Sequence, residues 1–429
     1  MPATLVSRAL RLVAAVLTGA TLVIAHATVA LAFPLYPFPQ HVTYASGTIK
    51  PNHRTQVQQD NDVRAFYDRW KADFVLAAGM DGGGNPLYRI AFGLTSPNRE
   101  RTVSEGQGFG MIVVALLAGH DANAQTIFDG LWRFTSAYPS SIDSRLMRWI
   151  VPTGFNGDDS AFDGDCDMAY GLLLADKQWG SVGAIDYLAE ATQLIAGILA
   201  STIGPNSRLP MLGDWVEPAG SKYNQYTPRS SDFMPDHFRA FGRITGDPVW
   251  SQVVTAVQNS IDYLQLKYSS KTGLLPDFIR PISSTNHNPR PAGSNFLESA
   301  FDGSYYYNAA RDPWRLGTDA VLNNDAKSLA AVRKISSWIQ TATAGNPASI
   351  RAGYKLGGSP LSGSNYFTTV FVAPFGVAAM TQSSQQSWLN AIYSAVYSVH
   401  EGYFEDSVTL LCLLVVTGNY WDPTTIGGT

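Results

Sequence analysis

About a dozen amphipathic segments with apolar residues at helical spacing follow one another along this chain, and no Pro/Gly/Ser linker or break in composition divides them. They cover residues 61–78, 110–118, 122–138, 168–179, 184–200, 235–245, 248–268, 311–322, 326–341, 367–380, 385–398 and 403–417. Connectors as short as 119–121 and 245–247 force neighbouring segments to run antiparallel. Strand signals are sparse and do not alternate with the helices as a parallel sheet would require. The pattern predicts an all-α fold, one domain of paired helices with long loops gathered over one end. Those loops, 139–167, 202–234 and 271–307, are rich in Gly, Pro, Asn and aromatic residues, and loops of that length in a compact domain usually carry function.

Residues 1–32 read as a secretory signal. Arg8 and Arg11 precede an apolar run from Leu12 to Leu31 that ends in Ala30-Leu31-Ala32, a small-x-small cleavage pattern, so the mature chain is expected to start at Phe33 and to be extracellular or periplasmic. A retained anchor is the alternative, since the run is about as long as a spanning helix. Loss of Arg8 and Arg11 from the 30 basic residues leaves 28 against 34 acidic ones, a net charge of −6 that argues against a nucleic-acid partner. Two cysteines, Cys166 and Cys412, do not make a disulfide framework in a chain this long; one bridge and two buried thiols are both open.

Two segments carry the acids. Ala161-Phe-Asp-Gly-Asp-Cys-Asp-Met168 sets Asp163, Asp165 and Asp167 on alternate residues, in a loop and N-cap ahead of a helix expected from Met168. Ser104-Glu-Gly-Gln-Gly-Phe-Gly-Met111 repeats the design, with Glu105 in a glycine-flanked loop before a helix expected from Met111. Two such loops suggest one cleft. Hydrolysis of a glycosidic bond needs a proton donor, and in the inverting case a second carboxylate that activates water across a gap of about 6.5–9.5 Å. Glu105 suits the donor, because Phe109 and the apolar helix behind it would raise its pKa by desolvation. The plainer alternative is a glutamate that caps or salt-bridges a helix start.

Other chemistries fit poorly. The aspartate run opens like a calcium loop, yet Met168 stands where the turn needs Gly and Leu174 where a bidentate Glu is required, so no metal is expected. Gly106-x-Gly108-x-Gly110 has neither the preceding strand nor the spacing of a dinucleotide fingerprint, and the chain has no His-Glu-x-x-His or Gly-x-Ser-x-Gly. No cofactor is expected. Among 10 Trp and 20 Tyr, many fall in the long loops: Trp149, Trp215, Tyr223, Tyr226, Tyr305, Tyr306 and Tyr307 offer flat faces for stacking on sugar rings.

With these residues in view the chain resembles the family 8 glycoside hydrolases, a group of endoglucanases, lichenases, chitosanases and some xylanases. The matching motifs are Ser104-Glu-Gly-Gln-Gly-Phe-Gly-Met111, Asp163-Gly-Asp-x-Asp-Met-Ala with its helix to Trp179, Leu212-Gly-Asp-Trp215, Tyr307-Asn-Ala-Ala-Arg-Asp-Pro-Trp-Arg315, Tyr403-Phe-Glu-Asp-Ser407 and Gly418-Asn-Tyr-Trp421. Phe162 departs from them, standing where the family usually has Ser or Thr. The resemblance implies an (α/α)6 barrel and an inverting cut inside a β-1,4-linked chain. It implies Glu105 as general acid, Asp163 as the aspartate that binds and distorts the central sugar, Arg311 as the arginine of that subsite, and Trp215 and Trp149 as stacking residues, with Tyr307 beside them.

The largest departure concerns the base. Many members have Asp where this chain has Asn308, and an amide cannot take a proton from water. Members with Asn there use a Glu from a loop about ten residues earlier, which makes Glu298 of Asn295-Phe-Leu-Glu298 the candidate base and Asn308 a residue that positions the water or the base. Ser230-Ser-Asp-Phe-Met234 also resembles that subgroup, with Asp232 as a substrate-binding residue where others place Tyr. The polysaccharide substrate is expected to be a β-glucan of cellulose or lichenan type. A glucosamine polymer is the alternative, since Asp163, Asp165, Asp232 and Asp302 near the groove would favour a cation. A carbohydrate-binding protein without catalysis is the third reading. A monomer is expected, with no membrane association after signal cleavage.

Overall fold

The computed structural model describes residues 33–152 and 157–427, so the expected signal segment, residues 1–32, lies outside the described residues. Twelve α-helices occur among the described residues. The first six are α1 (Gln56–Phe74), α2 (Ser104–Leu116), α3 (Ala124–Ala137), α4 (Phe162–Trp179), α5 (Tyr187–Ser201) and α6 (Pro235–Thr245). The rest are α7 (Val249–Lys267), α8 (Asp312–Asn323), α9 (Ala326–Ala342), α10 (Ala373–Ala379), α11 (Gln386–Val396) and α12 (Tyr403–Val416).

Packing separates them into two rings. The even-numbered helices touch in the closed order α2, α4, α6, α8, α10, α12 and back to α2, and each is backed by one odd-numbered helix, with α1 behind α12. This is the (α/α)6 toroid expected from the sequence. Burial separates α2 and α4 from the outer α5. In α2 every residue except Glu105 is buried, and in α4 every residue except Asp176 and Lys177, so these inner helices are enclosed nearly all round. In α5 only one stripe is buried, chiefly Tyr187, Ala191, Leu194, Ile195 and Ile198, as on a helix with one face to solvent.

Short antiparallel hairpins fix the loops: β1 (Val75–Met80) with β2 (Pro86–Ile90), β3 (Thr102–Val103) with β4 (Ile150–Val151), and β5 (Ile279–Pro281) with β6 (Pro289–Pro291). The first helix differs from expectation at both ends. A reciprocal cap between Thr55 and Gln58 starts it at Gln56, and Val75 leaves it for β1, which pairs with β2 around the turn at Asp81–Asn85. Both acidic segments also start their helices earlier than expected, so Glu105 lies in the first turn of α2 and Asp163, Asp165 and Asp167 lie inside α4. The glycines serve the helix crossing. A Cβ on Gly108 would sit 2.6 Å from the Asp167 Cβ and 2.9 Å from the Gly164 carbonyl oxygen, a separation only glycine permits. Cys166 and Cys412 are buried free thiols on α4 and α12.

Within the inner ring a charged network ties three helices together. Arg315 of α8 grips Asp167 of α4 with both terminal nitrogens, at 2.8 and 2.6 Å, and His237 of α6 reaches Asp167 through Nε2 at 2.9 Å and Asp236 through Nδ1 at 3.0 Å. Burial opposes the charge on His237, but the two carboxylates outweigh it and hold the imidazolium above its ordinary pKa. Removing one partner of a buried pair strands the other in low dielectric. Arg315→Met is therefore expected to lower unfolding free energy by about 3–5 kcal/mol, read from the urea midpoint; an unchanged midpoint would assign the network no part in stability.

Candidate active site

The N-terminal ends of five inner helices meet at one end of the toroid, and the acidic and basic side chains sit there. Glu105 opens α2, Asp163 opens α4, Asp232 directly precedes α6, Asn308 and Arg311 directly precede α8, and Tyr403 opens α12. Helix N-termini carry partial positive charge, which favours carboxylates at this end over the other. Strand pairing contributes too, because β3 delivers the chain to Glu105 and β4 leads away from Trp149, whose carbonyl accepts the Ser104 N–H at 2.9 Å.

Arg311 organises the centre. Its guanidinium is buried, and Nη1 donates to Glu105 Oε2 at 2.7 Å and to Asp163 Oδ2 at 2.9 Å. Nη2 donates to Ser231 Oγ at 2.8 Å and to Asn308 Oδ1 at 3.0 Å. Asn308 turns its Nδ2 to Glu298 Oε2 at 2.7 Å. A continuous hydrogen-bonded path thus runs Glu105, Arg311, Asn308, Glu298, bringing together two glutamates 193 positions apart in the chain. The orientation of the Asn308 amide follows from charge, since its oxygen faces Arg311 and, at 3.5 Å, Arg229.

The carboxyl groups sit in different electrostatic settings. Burial raises the pKa of Glu105, with a further push from Asp163, against the pull of Arg311 and the hydrogen bond from Tyr403, whose hydroxyl lies 3.0 Å from Oε1; the net shift is upward. Burial would also raise Asp163, but the guanidiniums of Arg229 and Arg311 overcome it and lower the group to about 2. Asp163 thus stays ionised where Glu105 can hold a proton. The Glu105 side chain is 19% exposed and that of Glu298 46%, so the second faces the cleft more openly.

Beside Glu298 a cavity of about 470 Å³ is lined by Trp149, Asp159, Leu212, Trp215, Tyr223, Arg229 and Leu297. Trp215 and Tyr223 meet edge to face at 5.2 Å over a small apolar cluster that includes Leu212, Phe278 and Phe296. Asp159, pushed up to about 6 by burial and by Asp214, adds a carboxyl to that wall. A second cavity of similar size, on α6 and α7, presents Arg239, Arg243 and Asp325, whose charges are already paired.

Several expected site residues are placed elsewhere. Asp165, two positions after Asp163, lies on another side of α4, whereas Asp167, four positions on, lies on the same side one turn deeper. Only Asp163 of its run points into the site; Asp165 accepts the Met147 N–H at 2.9 Å, and Asp167 belongs to the inner network. Asp232, expected to bind substrate, is fully buried beneath Arg229, which it holds through Nε at 3.1 Å; burial, relieved by Arg229, leaves it at about 7. Asp302 is fully buried as well and faces backbone rather than the groove. Tyr305 packs in the core against Phe375, and Tyr226 stacks on His287 at 3.8 Å. Tyr307, by contrast, stays at the edge of the site: half-buried, its ring lies 6.3 Å from that of Phe404, over which Arg311 sits, and its hydroxyl is 2.9 Å from that of Tyr366.

Three participants were not singled out from the sequence. Tyr403 lies within the closing motif, and its place at the start of the last helix was the available signal. Arg229, 3.3 Å from Asp163 and 3.9 Å from Glu298, and Ser231 belong to a loop segment in which only Asp232 drew notice.

Comparison with known proteins shows the family. Residues 52–418 match the family model for glycosyl hydrolases family 8. A β-glucanase of Niallia circulans is 43% identical over 92% of this chain and 93% of the relative, and an endoglucanase of Bacillus sp. (strain KSM-330) is 42% identical over 92% and 83%. The apo structure of a β-1,3-1,4-glucanase from Paenibacillus sp. X4 superposes with a TM-score of 0.85 at 43% identity, covering 91% of this chain and all of that one. A cold-adapted family 8 xylanase, 20% identical with a TM-score of 0.69 over 86% and 93%, shares the fold. A toroid with its acids at the inner-helix N-termini, matched along nearly its whole length, makes this chain a member of family 8 of the glycosyl hydrolases.

Proposed function

We propose that the protein is a secreted, inverting endo-β-1,4-glucanase of the Asn308-bearing subgroup, with Glu105 as general acid and Glu298 as general base. The hydrogen-bonded path Glu105, Arg311, Asn308, Glu298 along one cleft carries this reading. Protonated Glu105 donates to the leaving glycosidic oxygen as the bond from the anomeric carbon breaks. Glu298 takes a proton from a water whose oxygen attacks that carbon from the opposite face, so configuration inverts. Asn308 turns a donor to Glu298 and fixes its direction, as an aspartate at 308 could not without repelling it. Ionised Asp163, held by two arginines, receives the hydroxyls of the central sugar, and Trp149 and Trp215 stack the units beyond it.

The names of relatives, a β-glucanase and an endoglucanase, favour a glucan. Secretion rests on the signal pattern of residues 1–32, and among the described residues no helix is long and apolar enough to cross a membrane. Reducing-sugar release from barley β-glucan, carboxymethylcellulose, chitosan and xylan tests the reading. Release is expected from the first two; release from chitosan alone, or from none of the four, would overturn it.

Tyr403 offers a pH test. Its hydroxyl stabilises ionised Glu105, so Tyr403→Phe raises the pKa of the acid further. Activity that needs protonated Glu105 falls as pH rises through that pKa. The alkaline limb of kcat/KM is therefore expected at higher pH in Tyr403→Phe than in the wild type, and a shift to lower pH would contradict the assignment.

A further inference from the structure

We infer that Asp302 is a positioning residue for Glu298, an inference that rests on the reading of Glu298 as the base. The Glu298 side chain makes one close hydrogen bond, to Asn308, and is nearly half exposed, so its place depends on how its backbone is held. Asp302 holds it. Oδ2 accepts the N–H of Leu297 at 2.7 Å and of Glu298 at 3.1 Å, while Oδ1 accepts the N–H of Ser299 at 2.7 Å and the Ser299 hydroxyl at 3.1 Å. Three successive amides thus converge on one carboxylate, an arrangement that defines the backbone direction at its middle residue.

The carboxylate is itself anchored. Asp302 is fully buried, and its carbonyl accepts the N–H of Phe278 at 2.8 Å, within the apolar cluster beneath Trp215. The anchor, the amide nest and the glutamate form one short path from core to cleft. Loss of the carboxylate frees three amides to turn toward water, and the Glu298 carboxyl moves with them. A misplacement of about 1 Å at a reacting group costs up to a hundredfold in rate.

The test is a double-mutant cycle on β-glucan with Asp302→Ala, Glu298→Gln and the double variant. Asp302→Ala is expected to lower kcat by about 10- to 100-fold with KM within about threefold. In the Glu298→Gln background the same change is expected to cost less than about twofold, because the group it positions no longer acts. An equal loss in both backgrounds, or no loss in the wild type, would overturn the role of Asp302 while leaving Glu298 as base. Full activity of Glu298→Gln would instead remove the base assignment, and the inference with it. Asp302→Asn keeps one oxygen for the Leu297 and Glu298 amides, and its kcat is expected between those of Asp302→Ala and the wild type. Should Asp302→Ala not fold, the cycle is run with Asp302→Asn and read by the same comparison of backgrounds.

Discussion

Glu105→Gln is expected to hydrolyse β-glucan at least about a hundredfold more slowly than the wild type, with a loss of up to ten-thousandfold within the range of a missing general acid. The substitution is conservative in shape. The Gln oxygen can still accept from Arg311, and the Gln amide can face the Tyr403 hydroxyl, so both neighbours keep partners. Only the transferable proton is lost. Ground-state binding persists, so the loss falls on kcat with KM little changed, and the melting temperature moves by less than about 3 °C. An aryl glycoside whose leaving group departs without protonation should be slowed far less than the polysaccharide, which separates loss of an acid from loss of the site. Equal slowing of both substrates would assign Glu105 another task.

Glu298→Gln is expected to cost at least about a hundredfold on every substrate, good leaving group or not, because the attacking water needs a proton acceptor whatever departs. Asn308 Nδ2 can still donate to the Gln oxygen, and the loop remains tied by Asp302. The different dependence on leaving group therefore distinguishes the two glutamates. Two other carboxylates lie close by, but Asp232 is buried under Arg229 and Asp277 is buried with its Oδ1 on the Tyr306 and Ala309 amides. Both are engaged there by protein donors. Turnover of Glu298→Gln close to wild type would move the search for a base to Asp159, on the same cavity wall.

The helical architecture was legible because the outer helices carry one apolar stripe each, and periodicity reads such a stripe directly. The outer helices Val249–Lys267 and Ala326–Ala342 lie within one residue of their expected bounds, and so does the inner Pro235–Thr245, with Pro at its first turn and Gly246 in the left-handed region closing it. Two inner helices were harder to bound. Buried nearly all round, α2 and α4 have no polar face to mark their starts, and their glycines resemble loop residues until the Gly108 crossing against α4 is seen. The early start of α4 then puts Asp163 beside Arg311 in the first turn, with Asp165 turned aside and Asp167 one turn deeper. Motif resemblance singled out Glu105, Asp163, Asn308, Arg311 and Glu298, which the fold brings into one hydrogen-bonded set. It did not separate acids that face the groove from acids that hold its loops. Asp232 and Asp302 were grouped with the first kind and belong to the second, because burial depends on long-range packing that no local pattern records.

In the proposed mechanism one water, activated by Glu298, displaces directly a leaving group protonated by Glu105. Proton NMR of the reducing ends formed in the first minutes of β-glucan hydrolysis, before mutarotation, tests it most directly. Inversion gives the α-anomer as the initial product. An initial β-anomer would mean two displacements through a covalent intermediate and would contradict it.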